Sequence, residues 1–189
     1  MDSRPSDVVN LCYPFGATTA GQGPMFDIRP LSHTPSALEA CKEWTDREWG
    51  AVANFNETDW EAEFTRIAEN PVDEVFVAFV HNQPVGMVWL LEHEDVESHA
   101  HLTPWLSSLV VDPDHRNRGI ATALVAHVET YIATGGDEVL HLLTETPAYY
   151  ARLAYEVCDI ARLGAKNVFV MKKALAYPMG CEQDQPQPI

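Results

Sequence analysis

The sequence predicts a single α/β domain: a mixed sheet of about seven strands flanked by about four helices. Three observations lead there. Apolar alternation over Glu74–Val80, a turn at His81–Pro84 and a second apolar run over Val85–Leu91 describe a β-hairpin. A strand over Trp105–Val111 then feeds, through a short arginine-rich turn, a long helix from Gly119 to about Thr134. A further strand at Val139–Leu143 follows that helix, and helices that cross between strands imply α/β architecture.

The remaining elements fall around this centre. Residues 1–24 carry Pro, Gly, Ser and Thr without periodicity and read as a flexible leader. Met25–Leu31 suits a short strand. Ser36-Ala-Leu-Glu39 spells a capping box, in which Ser36 and Glu39 satisfy each other's backbone donors, and opens a helix to about Trp49. Trp60, Phe64 and Ile67 stand at helical spacing in a second helix, from near Thr58 to about Ala68. Glu92–His101 is a polar connection. In the long helix, Ile120, Leu124, Val125, Val128 and Ile132 form one apolar stripe, and Gly135-Gly136 ends it. Pro147 starts a short helix to Ala154. Tyr155–Ala161 and Asn167–Lys173 pair as a closing hairpin. The domain thus spans 25–175, and 176–189, with its Gln-Pro steps, reads as a disordered tail.

Composition excludes several classes. The apolar share of 46% and charged share of 21% belong to a soluble globular protein. No apolar run approaches the roughly 20 residues of a membrane span, and the N-terminus has no apolar signal-peptide core, so a cytoplasmic protein away from membranes is expected. Cys12, Cys41, Cys158 and Cys181 form no Cys-x-x-Cys pair, which argues against a disulfide framework or a zinc site. Lys and Arg total 12 against 28 acids, a formal charge of −16; this opposes nucleic-acid binding and suits a cationic amine.

Against that acidic background, two arginines are concentrated in Arg116-Asn117-Arg118-Gly119-Ile120-Ala121-Thr122. The first amides of a helix have no intrahelical acceptor, and the positive helix end adds to them, so this turn suits a pyrophosphate. Gly119 leaves room for phosphate to approach the backbone. Gly-x-Ser-x-Gly and Gly-x-x-x-x-Gly-Lys-Ser/Thr patterns are missing, which removes the common hydrolase and nucleotide-triphosphate templates.

Arg116-Asn-Arg118-Gly119-Ile-Ala121 resembles the Arg/Gln-x-x-Gly-x-Gly/Ala signature of the GNAT superfamily of N-acetyltransferases. Tyr149-Tyr150-Ala-Arg152-Leu-Ala154-Tyr155 resembles its Phe-Tyr-x-x-x-Gly-Phe/Tyr segment, with Ala154 where the family usually has Gly. The resemblance covers roughly Phe26 to Leu175. It implies acetyl-CoA as acyl-donor cosubstrate, with its pyrophosphate on Arg116, Asn117, Arg118, Gly119, Ile120, Ala121 and Thr122. The Leu109, Val110 and Val111 strand would splay from the Val139 strand, pair with the pantetheine amides and hold the thioester oxyanion. Tyr150 would protonate the leaving CoA thiolate, a transfer open to a phenol.

An alkylammonium must lose a proton before it attacks a thioester; Glu92 is the first candidate base and Glu145 the second. Trp105 and Ser107 are candidates to line the acceptor pocket, with a core role for Trp105 equally open. His99-x-His101 sits on a loop too irregular to preorganise a metal, and no metal is expected. The resemblance implies acetyl transfer to a small-molecule amine or a protein amino group by direct attack through a tetrahedral intermediate. Dimers are common among such enzymes, which makes a homodimer an open expectation. The alternative is a catalytically silent CoA-binding regulatory or interaction module of the same fold.

Overall fold

A computed structural model describes residues 26–51 and 57–176 of the chain. The leader expected over 1–24, and all but the first residue of the tail expected over 176–189, lie outside the described residues. Strand β1 (Asp27–Pro30) leads through two short 3-10 turns to α1 (Leu38–Thr45) and a π-helical turn, Asp46–Gly50. Helix α2 (Glu57–Glu69) precedes the hairpin β2 (Glu74–Val80) and β3 (Gln83–Leu91). Strand β4 (Trp105–Val111), helix α3 (Ile120–Thr134), strand β5 (Val139–Thr144) and the short α4 (Pro147–Ala151) follow, and β6 (Glu156–Leu163) with β7 (Lys166–Ala174) closes the order.

The strands form a seven-stranded sheet in the order β1-β2-β3-β4-β5-β7-β6. Only β4 and β5 run parallel among the described strands, as α3 crosses between them. The predicted mixed α/β sheet is therefore the observed one. Both faces are covered. On one, α1 and α2 press Trp44, Trp60, Phe64 and Ile67 against Val75, Val77, Trp89 and Trp105. On the other, α3 lays its predicted stripe of Ile120, Leu124, Val125, Val128 and Ile132 over Phe76, Leu90, Leu106 and Leu142. Such two-sided cover explains why Phe76 and Ala78, between the alternating residues of β2, are buried as well.

Local chemistry explains most boundaries. His81 (φ 48) and Asn82 (φ 63) make a tight two-residue loop with both residues left-handed, the geometry whose twist matches a hairpin, so Gln83 and Pro84 already belong to β3. Helix α3 ends in a Schellman arrangement: Asp137 N–H reaches the Ile132 carbonyl at 3.1 Å and Gly136 N–H the Ala133 carbonyl at 3.1 Å. The capping box expected at Ser36–Glu39 does not form. Pro35 starts a 3-10 turn that runs through Ser36, no side chain caps α1, and Glu39 instead accepts from Lys42 Nζ at 3.3 Å.

Ala154 takes φ +67, the left-handed region that disfavours a Cβ. The chain has kept the backbone that glycine would serve at this family position while carrying alanine. Ala154→Gly is expected to raise stability by about 1 kcal/mol, read as a higher denaturant midpoint at unchanged m-value; an unchanged midpoint would show that the conformation costs nothing here.

Candidate active site

Strands β4 and β5 pair at two positions only, Trp105 with His141 and Leu106 with Leu142. Beyond Leu106 and Leu142 they part. The fork is shaped by a bulge in β4: Met87 of β3 faces Val110 and Trp89 faces Ser107, which leaves Ser108 and Leu109 together opposite Val88. Ser108 absorbs the extra residue at φ 47. Gly86 permits the close approach of β3 and β4, since a Cβ there would sit 2.8 Å from the Val110 carbonyl oxygen and 3.2 Å from Val111 Cα.

Past the fork the chain turns into α3. Asp112 holds the turn by accepting from Asp114 N–H at 3.0 Å, and Arg116 Nε donates back to the Val111 carbonyl at 2.9 Å. Asn117 (φ 61) and Gly119 (φ 80) are both left-handed. A Cβ on Gly119 would meet nothing within 4 Å, so in the free protein the glycine is required by its backbone conformation rather than by crowding. Gly119 caps α3 without a side-chain hydrogen bond, which leaves the amides of Ile120, Ala121 and Thr122 without intrahelical acceptors and aimed outward.

A cavity of about 450 Å³ runs from these amides along β4. Leu109, Val110, Val111, Arg116, Asn117, Gly119, Ile120, Ala121 and Thr122 line it. Nine of the ten residues expected to bind the donor are therefore together. Arg118 is outside the lining; its Nη2 donates to the Asp114 carbonyl at 3.0 Å. Glu48, Trp49, His115 and Tyr149 also line the cavity. Glu48 Oε1 stands 3.7 Å from Arg116 Nη2. These residues carry no motif, and Glu48 and Trp49 belong to the π-helical turn that follows α1.

The uncapped helix start, a left-handed glycine before it and an elongated cavity beside unpaired strand backbone fit a pyrophosphate joined to an extended amide chain. Coenzyme A has that form. Its pyrophosphate would lie on the amides of Ile120–Thr122 and its pantetheine beside Leu109–Val111.

Tyr150 is 9% exposed and packs edge-on between Tyr149 (ring centroids 5.0 Å) and Tyr155 (5.8 Å). Burial, with a smaller contribution from Tyr149, pushes its phenol up to about 12. Tyr149 lies one residue earlier, on the cavity wall, and its hydroxyl is buried without a hydrogen-bond partner among the described residues. The motif pointed to Tyr150; the rotation of α4 brings Tyr149 forward.

The two acids named as bases both have partners. Glu92 Oε2 accepts from Asn70 Nδ2 at 3.3 Å, and Glu145 Oε1 accepts from Lys166 Nζ at 2.8 Å. Trp105 is 1% exposed in the core beneath α1 and α2, donating its indole N–H to the Leu102 carbonyl at 2.8 Å. Ser107 lies at the fork, opposite Trp89 of β3. Burial raises the Glu94 carboxyl above the ordinary glutamate value, and the charges of Asp95 and Glu63 add to the rise. His99 is a buried ring held by Ser98 Oγ at 2.8 Å on Nδ1 and Asp159 Oδ2 at 3.2 Å on Nε2.

Comparison with known proteins places this geometry. The pattern of the Acetyltransferase (GNAT) family matches residues 38–159. The protein described as uncharacterized N-acetyltransferase YafP of Escherichia coli (strain K12) is 26% identical over 88 residues; the match covers 47% of this chain and 47% of that protein, so it spans about half the length of this curated relative. Among solved structures, an aminoglycoside 6'-N-acetyltransferase complexed with coenzyme A shares the fold at TM-score 0.65 and 17% identity, over 86% of this chain and 99% of the other. Ribosomal-protein-alanine N-acetyltransferase from Brucella melitensis does so at TM-score 0.61 and 20% identity, over 79% and 99%. With a family pattern that runs from α1 through the fork and the turn into β6, the chain belongs to the GNAT acetyltransferase family.

Proposed function

We propose that the protein moves an acetyl group from acetyl-CoA to a primary amine by direct attack of the amine on the thioester. The observation that carries this reading is the continuity of one cavity, from the uncapped amides of Ile120–Thr122 to the stretch Leu109–Val111 of β4 that β5 leaves unpaired at the strand fork. Amides fixed in the protein before the reaction stabilise charge on a developing oxyanion more effectively than water does, because they need no reorientation. The Leu109 strand supplies such groups beside the thioester. Arg116, tied to the Val111 carbonyl, keeps the turn in register with the strand and adds positive charge near the phosphates.

In this reading the departing thiolate takes its proton from a tyrosine of α4. Family resemblance assigns that role to Tyr150, and its phenol stays neutral, hence able to donate, throughout the physiological range. Tyr150→Phe is expected to lower kcat by about tenfold to a hundredfold with acetyl-CoA affinity near normal. Unchanged turnover in Tyr150→Phe together with a loss in Tyr149→Phe would transfer the role to the hydroxyl on the cavity wall.

The acceptor is a small cationic amine or a protein amino group. The fold is shared with an aminoglycoside acetyltransferase and with a ribosomal-protein-alanine acetyltransferase, whose acceptors belong to these two classes. The acid excess of the chain favours cations. Thiol release from acetyl-CoA tests the proposal, measured with spermidine, kanamycin and an alanine-terminated peptide as acceptors. Thermal stabilisation by acetyl-CoA without thiol release on any amine would favour the catalytically silent CoA-binding module.

A further inference from the structure

We propose that Glu48 and Trp49 receive a second, non-reacting ammonium of the acceptor, which makes the substrate an amine with more than one amino group. The inference rests on the acetyl-transfer reading above and narrows its acceptor to a polycationic amine.

Two opposite chemistries meet in the cavity. The amides of Ile120–Thr122 and the Arg116 guanidinium suit the phosphates of the donor. Glu48 is the one carboxylate among the described residues that line the same space, and Trp49 lines it too. A carboxylate beside a polyanion is unfavourable unless a cation joins it there. The free protein meets that need from its own side chains. Arg116 Nη2 stands 3.7 Å from Glu48 Oε1, and Arg47 Nε donates to the same oxygen at 3.1 Å. Both arginines address Oε1, and among the described residues nothing binds Oε2. Trp49 adds an indole, partly buried against the core beneath α1 and α2, and an indole face attracts ammonium groups.

The fold fixes this pair in place. Asp46 opens their π-helical turn and accepts the Trp60 indole N–H of α2 at 3.3 Å. Gly50 closes the turn; a Cβ there would lie 2.5 Å from Asp46 Oδ1, so the bare glycine lets that carboxylate fold inward.

Position decides which nitrogen Glu48 can hold. Its partner Arg116 donates to the carbonyl of Val111, the end of β4 far from the last pairing with β5 at Leu106. Glu48 is thereby tied to the phosphate end of the cavity rather than to the strand beside the thioester. An ammonium held by a carboxylate also keeps its proton and has no lone pair for attack. The nitrogen at Glu48 is therefore a handle, and another nitrogen of the same molecule reaches the thioester beside Leu109. Donor binding prepares the handle's place, because phosphates that draw Arg116 to themselves leave Glu48 to the incoming cation.

Thiol release from acetyl-CoA by the full chain tests the assignment. Spermidine and kanamycin carry several ammonium groups; butylamine and an alanine-terminated peptide without basic side chains carry one. Wild-type kcat/KM is expected to favour the better polycation over the better monocation by about tenfold or more, the worth of one hydrogen bond to a charged group. Glu48→Gln keeps the shape and loses the charge, so the preference should shrink to about threefold or less, through a higher KM for the polycation. Glu48→Asp should restore part of it. A preference that persists in Glu48→Gln, or a wild type that uses butylamine or the peptide at least as well, overturns the assignment and leaves acetyl transfer standing. So does an equal loss on all acceptors with weaker thermal stabilisation by acetyl-CoA, which would reduce Glu48 to a support for Arg116. Absence of thiol release in the wild type with all four acceptors removes the acetyl-transfer reading and this site with it.

Discussion

Acetyl-CoA at 100 times the wild-type Kd is expected to raise the stability of the wild-type protein by about 2.7 kcal/mol and that of Gly119→Glu by only about 0.4 kcal/mol. The physical reason lies in the first turn of α3. The amides of Ile120, Ala121 and Thr122 are the groups left over by helix geometry, and no side chain occupies them. A carboxylate one residue upstream would offer these amides an internal anion and set a negative charge against the incoming pyrophosphate. Two unit charges about 4 Å apart near a protein surface interact by about 4 kcal/mol, so after screening a loss of about a hundredfold in affinity is a modest expectation. Backbone strain must be separated from charge, because Gly119 has φ 80 and any side chain there carries a cost. Gly119→Ala makes that separation. With nothing within 4 Å of the added Cβ, it should lose about 1 kcal/mol of stability and retain most of the acetyl-CoA shift. An equal acetyl-CoA shift in wild type and Gly119→Glu, followed by differential scanning fluorimetry, would remove the phosphate from this turn.

Gly86→Val is expected to be the most damaging single change to the fold around the site. The added Cβ would lie 2.8 Å from the Val110 carbonyl oxygen and 3.2 Å from Val111 Cα, and both neighbours are main-chain atoms that cannot swing aside. Strands β3 and β4 must separate at the pairing of Gly86 with Val111, next to the bulge that opens the fork. Overpacking of this kind costs about 3 kcal/mol, a fall in Tm on the order of 10 °C for a domain of this size. The same displacement moves Val110 and Val111, which line the cavity, so acetyl-CoA affinity should fall with stability. Gly86→Ala carries the same Cβ without the branches and should lie between wild type and Gly86→Val. A wild-type Tm in Gly86→Val would mean that the two strands do not approach as described.

Where sequence reading and structure agree, a periodic or conformational constraint acts over a short stretch. The α3 stripe is one case: each of Ile120, Leu124, Val125, Val128 and Ile132 is buried, because a single helix face needs no knowledge of its partner to be recognised. The turn proposed for the donor is also gathered as its sequence suggests: six of the seven residues of Arg116–Thr122 line one cavity with Leu109–Val111, and the requirement for free amides is local. The disagreements arise where a competing partner is distant in the chain or where rotation of an element decides. Glu39 bonds Lys42 instead of closing a capping box, and Lys42 is held as well by Glu61 of α2. Arg118 turns back to the Asp114 carbonyl instead of joining the cavity. Tyr149 and Tyr150 are neighbours in the motif, and only the angle at which α4 leaves β5 tells which hydroxyl borders the cavity.

The chain order of polar and apolar residues was enough to establish a mixed sheet and the crossing helix and to single out the turn proposed for phosphate, because periodicity and helix-end chemistry are properties of a few adjacent residues. Burial of Trp105, the pairing of Glu145 with Lys166 and the cavity lining from Glu48 and Trp49 came from the folded chain. Each joins segments more than ten residues apart, and a carboxylate shows its chemistry only once its neighbours determine how much water and which charges surround it.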